Sequence, residues 1–443
     1  MSIQQAQGPR VFMQRQRALP LQGVASLTTY SLLLLMVAGP YLTLKTLPYT
    51  GEGSALRQIA FTGVYIAAIV AARVAANPRG LFPLPMTLAL TLGWFWLSLV
   101  WAVDPDIALR RLLLTTLIVL TTFTLVEILE YEKTMNIFRE VMIMILIINF
   151  VTVIALPSVG VHEQLDVEGF GLDPDLVGNW KGALTQKNFA GALCALTIVS
   201  FIFDAQSVKT WIRWAVIIGS AFFLYKTHAK TSFGMLALAL LAGWVFQRYN
   251  PRFRSLLLPG FVGIALLTIG LSLAYWSEIE AIFSRPDNFT GRVHIWSTLL
   301  AYWKDHWILG SGYGSFWNIG KNASPLYHYA KDNDWVALVA IGHNGYIDLL
   351  VQTGLLGLIL VVISTVIVPL VKLVAAVGVD RNRRALLAAF LIFCVGHNLT
   401  ETSVLDRDSI VGILLMFTIA LIGVISRRPT EAPQQISAAS QHA

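Results

Sequence analysis

Charge is what this chain has least of. Of its 443 residues, 13% are Asp, Glu, Lys or Arg, against about 25% in soluble domains, and 56% are apolar. A soluble protein with so few charges could not cover its own surface. Cysteine is almost missing, and Cys194 and Cys394 both sit inside apolar runs. That excludes a disulfide-rich secreted module and a zinc finger. Lys and Arg exceed Asp and Glu by only 32 to 25, too thin a surplus for a nucleic-acid footprint, so no nucleic-acid partner is expected. No His-Glu-x-x-His pair occurs; neither a metal site nor another cofactor is expected. Internal repeats of the kind that build many secondary transporters are also absent. Together these absences describe an integral membrane protein whose first partner is the lipid bilayer.

What is present is a series of long apolar runs. A helix needs about 20 such residues to cross the hydrocarbon core. Twelve windows qualify, at roughly 24–44, 58–76, 81–101, 107–126, 138–157, 188–205, 209–226, 231–247, 255–275, 345–371, 385–400 and 409–426. They are continuous, unlike the alternating segments of an outer-membrane barrel. The expected fold is all-α, a polytopic helical bundle of about 12 transmembrane helices. Lys and Arg concentrate on cytoplasmic segments. With both termini cytoplasmic, 18 of them fall inside and 12 outside, with Arg110 and Arg111 at the outer start of the fourth span. This divides the chain into a cytoplasmic segment (1–23), a membrane domain (24–426) and a disordered cytoplasmic tail (427–443). A large outer loop, 276–344, interrupts the membrane domain, and a shorter one runs from about 158 to 187.

Loops of this length inside a compact protein are usually functional. The larger one is crowded with aromatics, including six of the 13 tryptophans. They suit a membrane-interface belt or a face on which sugar rings stack, Trp296 and Trp317 among them. Thr290-Gly291-Arg292 opens a helical pattern in which Arg292, Trp296, Leu299 or Leu300, and Trp303 share a face, as in a helix lying along the membrane surface. Gly310, Gly312 and Gly314 punctuate the next stretch and suggest a tight turn bringing backbone close to a ligand. The loop closes on His343-Asn344-Gly345, where the next helix starts. The field of a helix N-terminus disfavours imidazolium, so His343 is expected to be neutral and able to accept a proton. Asn344, Asp348 and Gln352 follow as a polar stripe that must face protein or a water-filled cavity. Lys187-Asn188 ends the shorter outer loop, and Lys230 begins the eighth span. These cations share a level with Arg292 and His343, and a pyrophosphate at the membrane surface would explain why they gather there.

Three segments in series resemble the core of the O-antigen polymerase/ligase superfamily: Thr-Gly-Arg-x-x-x-Trp (290–296), Gly-Ser-Gly-Tyr-Gly-Ser-Phe (310–316) and His-Asn-Gly-Tyr-Ile-Asp-x-x-x-Gln-x-Gly-x-x-Gly (343–357). Lys-Asn-x-x-Gly (187–191) and Asn-Leu-Thr-Glu-Thr-Ser (398–403) are more similar to its exopolysaccharide branch, the ExoQ type. The resemblance runs from about 178 to 426. It implies a metal-independent, GT-C-like glycosyltransferase of the bacterial inner membrane. The donor would be an oligosaccharide on undecaprenyl diphosphate, the catalytic pair His343 and Arg292. Substrate would be held by Lys187, Asn188, Lys230, Asn344, Asp348, Trp296, Trp317 and Gly312. The resemblance also implies flippase and chain-length-control partners. The acceptor would be a second lipid-linked unit in a polymerase, or lipid A–core in a ligase. A transporter for polysaccharide or lipid-linked sugar, with polar groups through the full membrane depth, is the rival from another class.

Overall fold

The computed structural model describes residues 9–42, 54–74, 83–163, 176–275, 277–278, 292–319, 325–330, 336, 339–407 and 409–427, with side chains from residue 22 onward and, between 257 and 269, only in part. Fifteen helices are present among them. They are α1 (Pro9–Ala38), α2 (Ala55–Val74), α3 (Met86–Leu97), α4 (Pro105–Ala155), α5 (Pro157–Gly160), α6 (Lys187–Ile202), α7 (Thr210–Thr227) and α8 (Lys230–Arg248). After them come α9 (Arg254–Ala274), α10 (Arg292–Asp305), α11 (Pro325–Tyr329), α12 (Gly345–Val362), α13 (Val368–Ala375), α14 (Arg381–His397) and α15 (Ile410–Arg427). The protein is an all-α polytopic membrane protein. Each of the twelve apolar windows contains helix, and six helices are long and apolar enough to cross a membrane by themselves. The tail beyond Arg427 and the first eight residues lie outside the described residues; the remainder of segment 9–23 is part of α1.

One boundary differs from expectation. The fourth and fifth windows were separate, but α4 runs through both for 51 residues. Straight, it would reach roughly 76 Å, more than twice the hydrocarbon thickness. Glu130, at φ 60° and ψ −173°, breaks it into two halves. The polar stretch around Glu127, Glu130 and Glu132 that suggested a loop instead forms the helical elbow between them.

The bundle is sorted as a membrane requires. α15 lies at its centre, with 83% of its span window buried, whereas 22% of the α8 window is buried. Large apolar side chains such as Trp211, Trp214, Leu241, Trp244, Leu267 and Leu273 face outward, where lipid is the solvent. Polar groups gather at the two ends. At one end Arg139 donates to the Asp204 carbonyl (2.5 Å), Tyr131 to the Asp204 carboxylate (2.6 Å) and Arg427 to Glu127 (2.5 Å). Arg383 pairs there with Glu132. These arginines belong to the set assigned to the cytoplasm by the Lys and Arg count. The starts of α4, α6, α8, α12 and α15 lie at the opposite end, together with the capping loop.

That loop carries its own small core. Ile295, Leu299, Tyr302, Phe316, Trp317, Leu326, Ala330, Val336 and Val351 are buried against one another. Helix α10 thereby packs onto α12. Trp296 and Leu299 form its buried face, while Leu300 on the expected shared face is exposed.

Candidate functional site

The site is assembled where four helices begin. Arg292 is the first residue of α10, Lys187 of α6 and Lys230 of α8, and His343 immediately precedes Asn344, the N-cap of α12. Helix starts leave backbone N–H groups unpaired and carry a partial positive charge, which favours an anion. Asn344 satisfies two of these donors itself, accepting from the N–H groups of Tyr346 (3.0 Å) and Ile347 (3.1 Å). Its own amide donates to the Leu399 carbonyl (3.0 Å), tying α12 to the turn after α14.

That turn supplies a residue to which the sequence reading gave no role. Glu401 is buried, and its carboxylate is the hub of the cluster. Oε1 accepts from Asn188 (2.7 Å) and from Arg292 Nη2 (2.9 Å), and Oε2 lies 3.4 Å from His343 Nδ1. Arg292 also donates to the Thr400 carbonyl, and Thr231, next to Lys230, shares a 2.8 Å hydrogen bond with Thr400. Burial alone would push the Glu401 carboxyl up. The hydrogen bond from His343 and the charge of Arg292 outweigh burial and hold it below the ordinary carboxylate value. Side-chain exposure is 25% for His343, 17% for Arg292 and 3% for Glu401. The acid is therefore sealed in while the imidazole and guanidinium keep one side open. The only hint in sequence was a single acid in Asn-Leu-Thr-Glu-Thr-Ser, between two apolar runs.

Of the eight expected substrate contacts, Asn188 bonds directly to this hub, while Asp348, Trp296, Trp317 and Gly312 do other work. Asp348 is buried within protein. Its carboxyl accepts from the Gly342 N–H (3.1 Å), from Trp317 Nε1 (3.2 Å) and from Thr402. Trp296 is buried too, and its Nε1 donates to the Gly342 carbonyl (2.8 Å). With Trp296 8% and Trp317 5% exposed, neither ring offers a face for a sugar. Both brace the strap that carries His343. Gly312 does not bring backbone to a ligand: a Cβ there would lie 2.6 Å from the Ala102 Cα. The glycine turn packs on protein instead. Gln352 holds the Gly314 N–H (2.8 Å), and the buried Arg111 guanidinium donates to the carbonyls of Gly314 (2.7 Å), Trp317 (2.6 Å) and Asn318 (3.2 Å). Of the four Asp-x-Asp triplets in the chain, 104–106 caps α4 through Asp104, 173–175 and 332–334 lie outside the described residues, and so does the last position of 406–408.

Asp348 is thus a clasp, and its replacement should register as lost stability. Removing the carboxyl altogether strands the Gly342 N–H and the Trp317 Nε1–H, which can only donate, whereas the Thr402 hydroxyl can turn to another role. A stranded buried donor costs about 1–3 kcal/mol. Asp348→Ala is expected to lower the thermal unfolding midpoint of the detergent-purified protein; an unchanged midpoint would show that the clasp carries no stability.

Fold and site together define a multi-pass helical membrane protein with a capped, cation-rimmed site at one end of its bundle. Residues 193–362 match the family model described as Wzy_C, O-antigen ligase. The chain is also similar to the exopolysaccharide production protein ExoQ of Rhizobium meliloti (strain 1021), 25% identical over 263 residues, a stretch covering 57% of this chain and 52% of that protein. It therefore spans about half the length of the curated relative it matches. Both findings support the resemblance to the O-antigen polymerase/ligase superfamily and its ExoQ branch. The family match takes in Arg292 and His343 and ends short of Glu401.

Proposed function

We propose that the chain is a polysaccharide polymerase of the bacterial inner membrane, joining undecaprenyl-diphosphate-linked repeat units at the periplasmic face in exopolysaccharide or O-antigen synthesis. The observation that carries this is the His343–Glu401–Arg292 cluster at the meeting of four helix starts. With the Nδ1 proton directed at Glu401, His343 Nε2 is left as the acceptor. It takes the proton of an acceptor hydroxyl while that oxygen bonds to the anomeric carbon of the donor. The bond from that carbon to the diphosphate oxygen breaks, its electron pair leaving with undecaprenyl diphosphate. Glu401 balances the imidazolium as it forms. Arg292, Lys187, Lys230 and the helix ends offset the charge gathering on the leaving group. Arg292 spends two of its five N–H donors on Thr400 and Glu401, leaving three for phosphate oxygens. Diphosphate is already a good leaving group, so a glycosyl transfer that runs without metal is consistent with this arrangement. Both termini lie in the cytoplasm on this reading, and the paired arginines of the opposite end face it.

The test is polymer formation from purified lipid-linked repeats by the protein in nanodiscs. A ladder of products is expected. His343→Ala should reduce its rate by about 100- to 10,000-fold, the usual worth of a positioned base. Undiminished polymerisation would remove His343 from the chemistry.

The matched family description favours one second reading, a ligase that transfers glycan to lipid A–core. A deletion strain separates the two. Single repeats on the lipid carrier would accumulate without a polymerase, and long polymer on the carrier without a ligase. Transport of polysaccharide or lipid-linked sugar fits less well, because the cations of the site gather at one end of the bundle rather than through its depth. Flippase and chain-length-control proteins would be the partners of the polymerase.

A further inference from the structure

A second cationic cleft opens at the same end of the bundle. It encloses about 160 Å³ and is lined by Arg57 and Arg407 on one part and by Met36, Phe189 and Ile410 on another. It shares two elements with the hub described above. Asn188 of α6 reaches Glu401, while the adjacent Phe189 lines the cleft. The turn holding Glu401 continues into Asp406 and Arg407.

The lining is amphipathic in a specific way. Among the described residues its lining carries two guanidiniums and one carboxylate, Asp406, which Arg407 Nε meets only loosely at 3.8 Å. Three helices begin there: α2 with Arg57 in its first turn, α6 just after Thr185, and α15 at Ile410. The positive ends of their helix dipoles add to the arginine field. Guanidinium forks match phosphate oxygens in pairs. The apolar part is built from the last turn of α1 and the first turns of α6 and α15, where a hydrocarbon chain rising from the bilayer would lie. An ordinary ligand pocket encloses about 300–1,000 Å³. This cleft is too small for an oligosaccharide and suits a charged head group with the start of its lipid tail.

We propose that this cleft binds the diphosphate of a second polyprenyl-linked glycan, the acceptor, while the site at His343 holds the donor. The inference rests on the polymerase reading. Joining two lipid-linked chains brings two lipid diphosphates to one enzyme. One leaves in the reaction, and the other stays attached to the growing product throughout. Two cationic sites sharing α6 and the 401–409 turn meet that requirement.

The probe is undecaprenyl diphosphate, titrated against the full-length protein in nanodiscs, with undecaprenol and inorganic pyrophosphate as parallel arms. The wild type is expected to bind two equivalents of undecaprenyl diphosphate. Neither control should occupy the cleft comparably, because one lacks the anion and the other the tail. The double variant Arg57→Gln/Arg407→Gln should keep one equivalent and lose the other, its affinity falling roughly tenfold or more on removal of charged hydrogen bonds. Arg292→Gln should weaken the opposite equivalent. Arg407→Lys, which keeps the charge, should retain part of the second site. One wild-type equivalent that ignores the 57/407 change and is lost in Arg292→Gln would overturn the second site and leave the proposed function standing. One equivalent lost in the 57/407 variant and kept in Arg292→Gln would instead overturn the donor assignment at Arg292. Equal binding of undecaprenol would show that the cleft reads only the tail, and would also overturn the proposal.

Discussion

Glu401→Gln is expected to lower polymer formation about as far as loss of His343 itself, by roughly 100- to 10,000-fold in kcat. The carboxylate serves two sides at once: Asn188 and Arg292 on Oε1, His343 on Oε2. An amide has one oxygen and one NH2. With its oxygen kept for Arg292, the NH2 meets Nδ1 of the imidazole. Nδ1 must then accept, the ring proton moves to Nε2, and the base is capped. With the oxygen turned to His343, the NH2 faces two donors and the Arg292 anchor is lost. Neither arrangement works. Since Glu401 acts through His343, the double change Glu401→Gln/His343→Ala should be no slower than His343→Ala alone. Additive losses, or a Glu401→Gln enzyme of normal kcat, would sink this account.

The same carboxylate leaves a mark on stability. Its value is lowered in the folded protein, so the stabilisation it supplies is complete above the ordinary Glu value of about 4.3 and is lost as pH falls through the lowered one. Acid titration of thermal stability should therefore show a step below about pH 4 in the wild type, and Glu401→Gln should flatten it. Glu401→Ala would go further and strand Arg292. Breaking a buried pair costs about 3–5 kcal/mol, and less here because the guanidinium is 17% exposed.

Hydropathy made the bundle legible. Apolar runs of about 20 residues dictate where helices lie, since an unpaired backbone is not tolerated in lipid, and each window proved helical. That Arg292 and His343 stand together at helix starts was legible as well, through motif spacing. What stayed hidden depends on contacts between distant parts of the chain. Glu401 meets His343 across 58 residues and Arg292 across 109, and no local pattern announces such a meeting. Trp296 and Trp317 looked like sugar platforms because loop aromatics are usually exposed. Here the loop has a core of its own, and the rings spend their N–H groups on Gly342 and Asp348. Asp348 followed the expected stripe and did face protein, but as a clasp. The elbow at Glu130 was misread because its charges suggested a loop, and helical backbone carries charges equally well at a bundle end.

Gly354→Ala should be the most disruptive single change in the fold, because a break in α12 at this residue is what seats the capping loop. Gly354 sits at φ 67° and ψ −176°, the region Glu130 occupies in α4, which costs residues other than glycine about 1–3 kcal/mol. A Cβ would also collide with the carbonyl of Ile308, and forced overpacking adds about 1–3 kcal/mol. Three backbone groups beside the break find partners outside α12. The Leu355 N–H donates to Trp307 O (2.9 Å), Val351 O accepts from the Ser311 N–H (3.0 Å), and Thr353 O accepts from Trp94 Nε1 (3.0 Å). An alanine that straightened the helix would cancel this pairing and unseat the segment leading to Gly312 and Trp317. The first half of α12, which carries the Asn344 cap and the Asp348 clasp, would lose its register against Glu401. A loss of roughly 2–6 kcal/mol is a large share of a typical total of 5–15, so the variant should unfold at markedly lower temperature and lose polymer formation together. Gly234→Ala in α8, where a Cβ meets nothing within 4 Å, is the matched control and should be neutral or slightly stabilising. Equal thermal stability of the two variants would mean that the kink is incidental, and that the loop is positioned by something other than the broken helix.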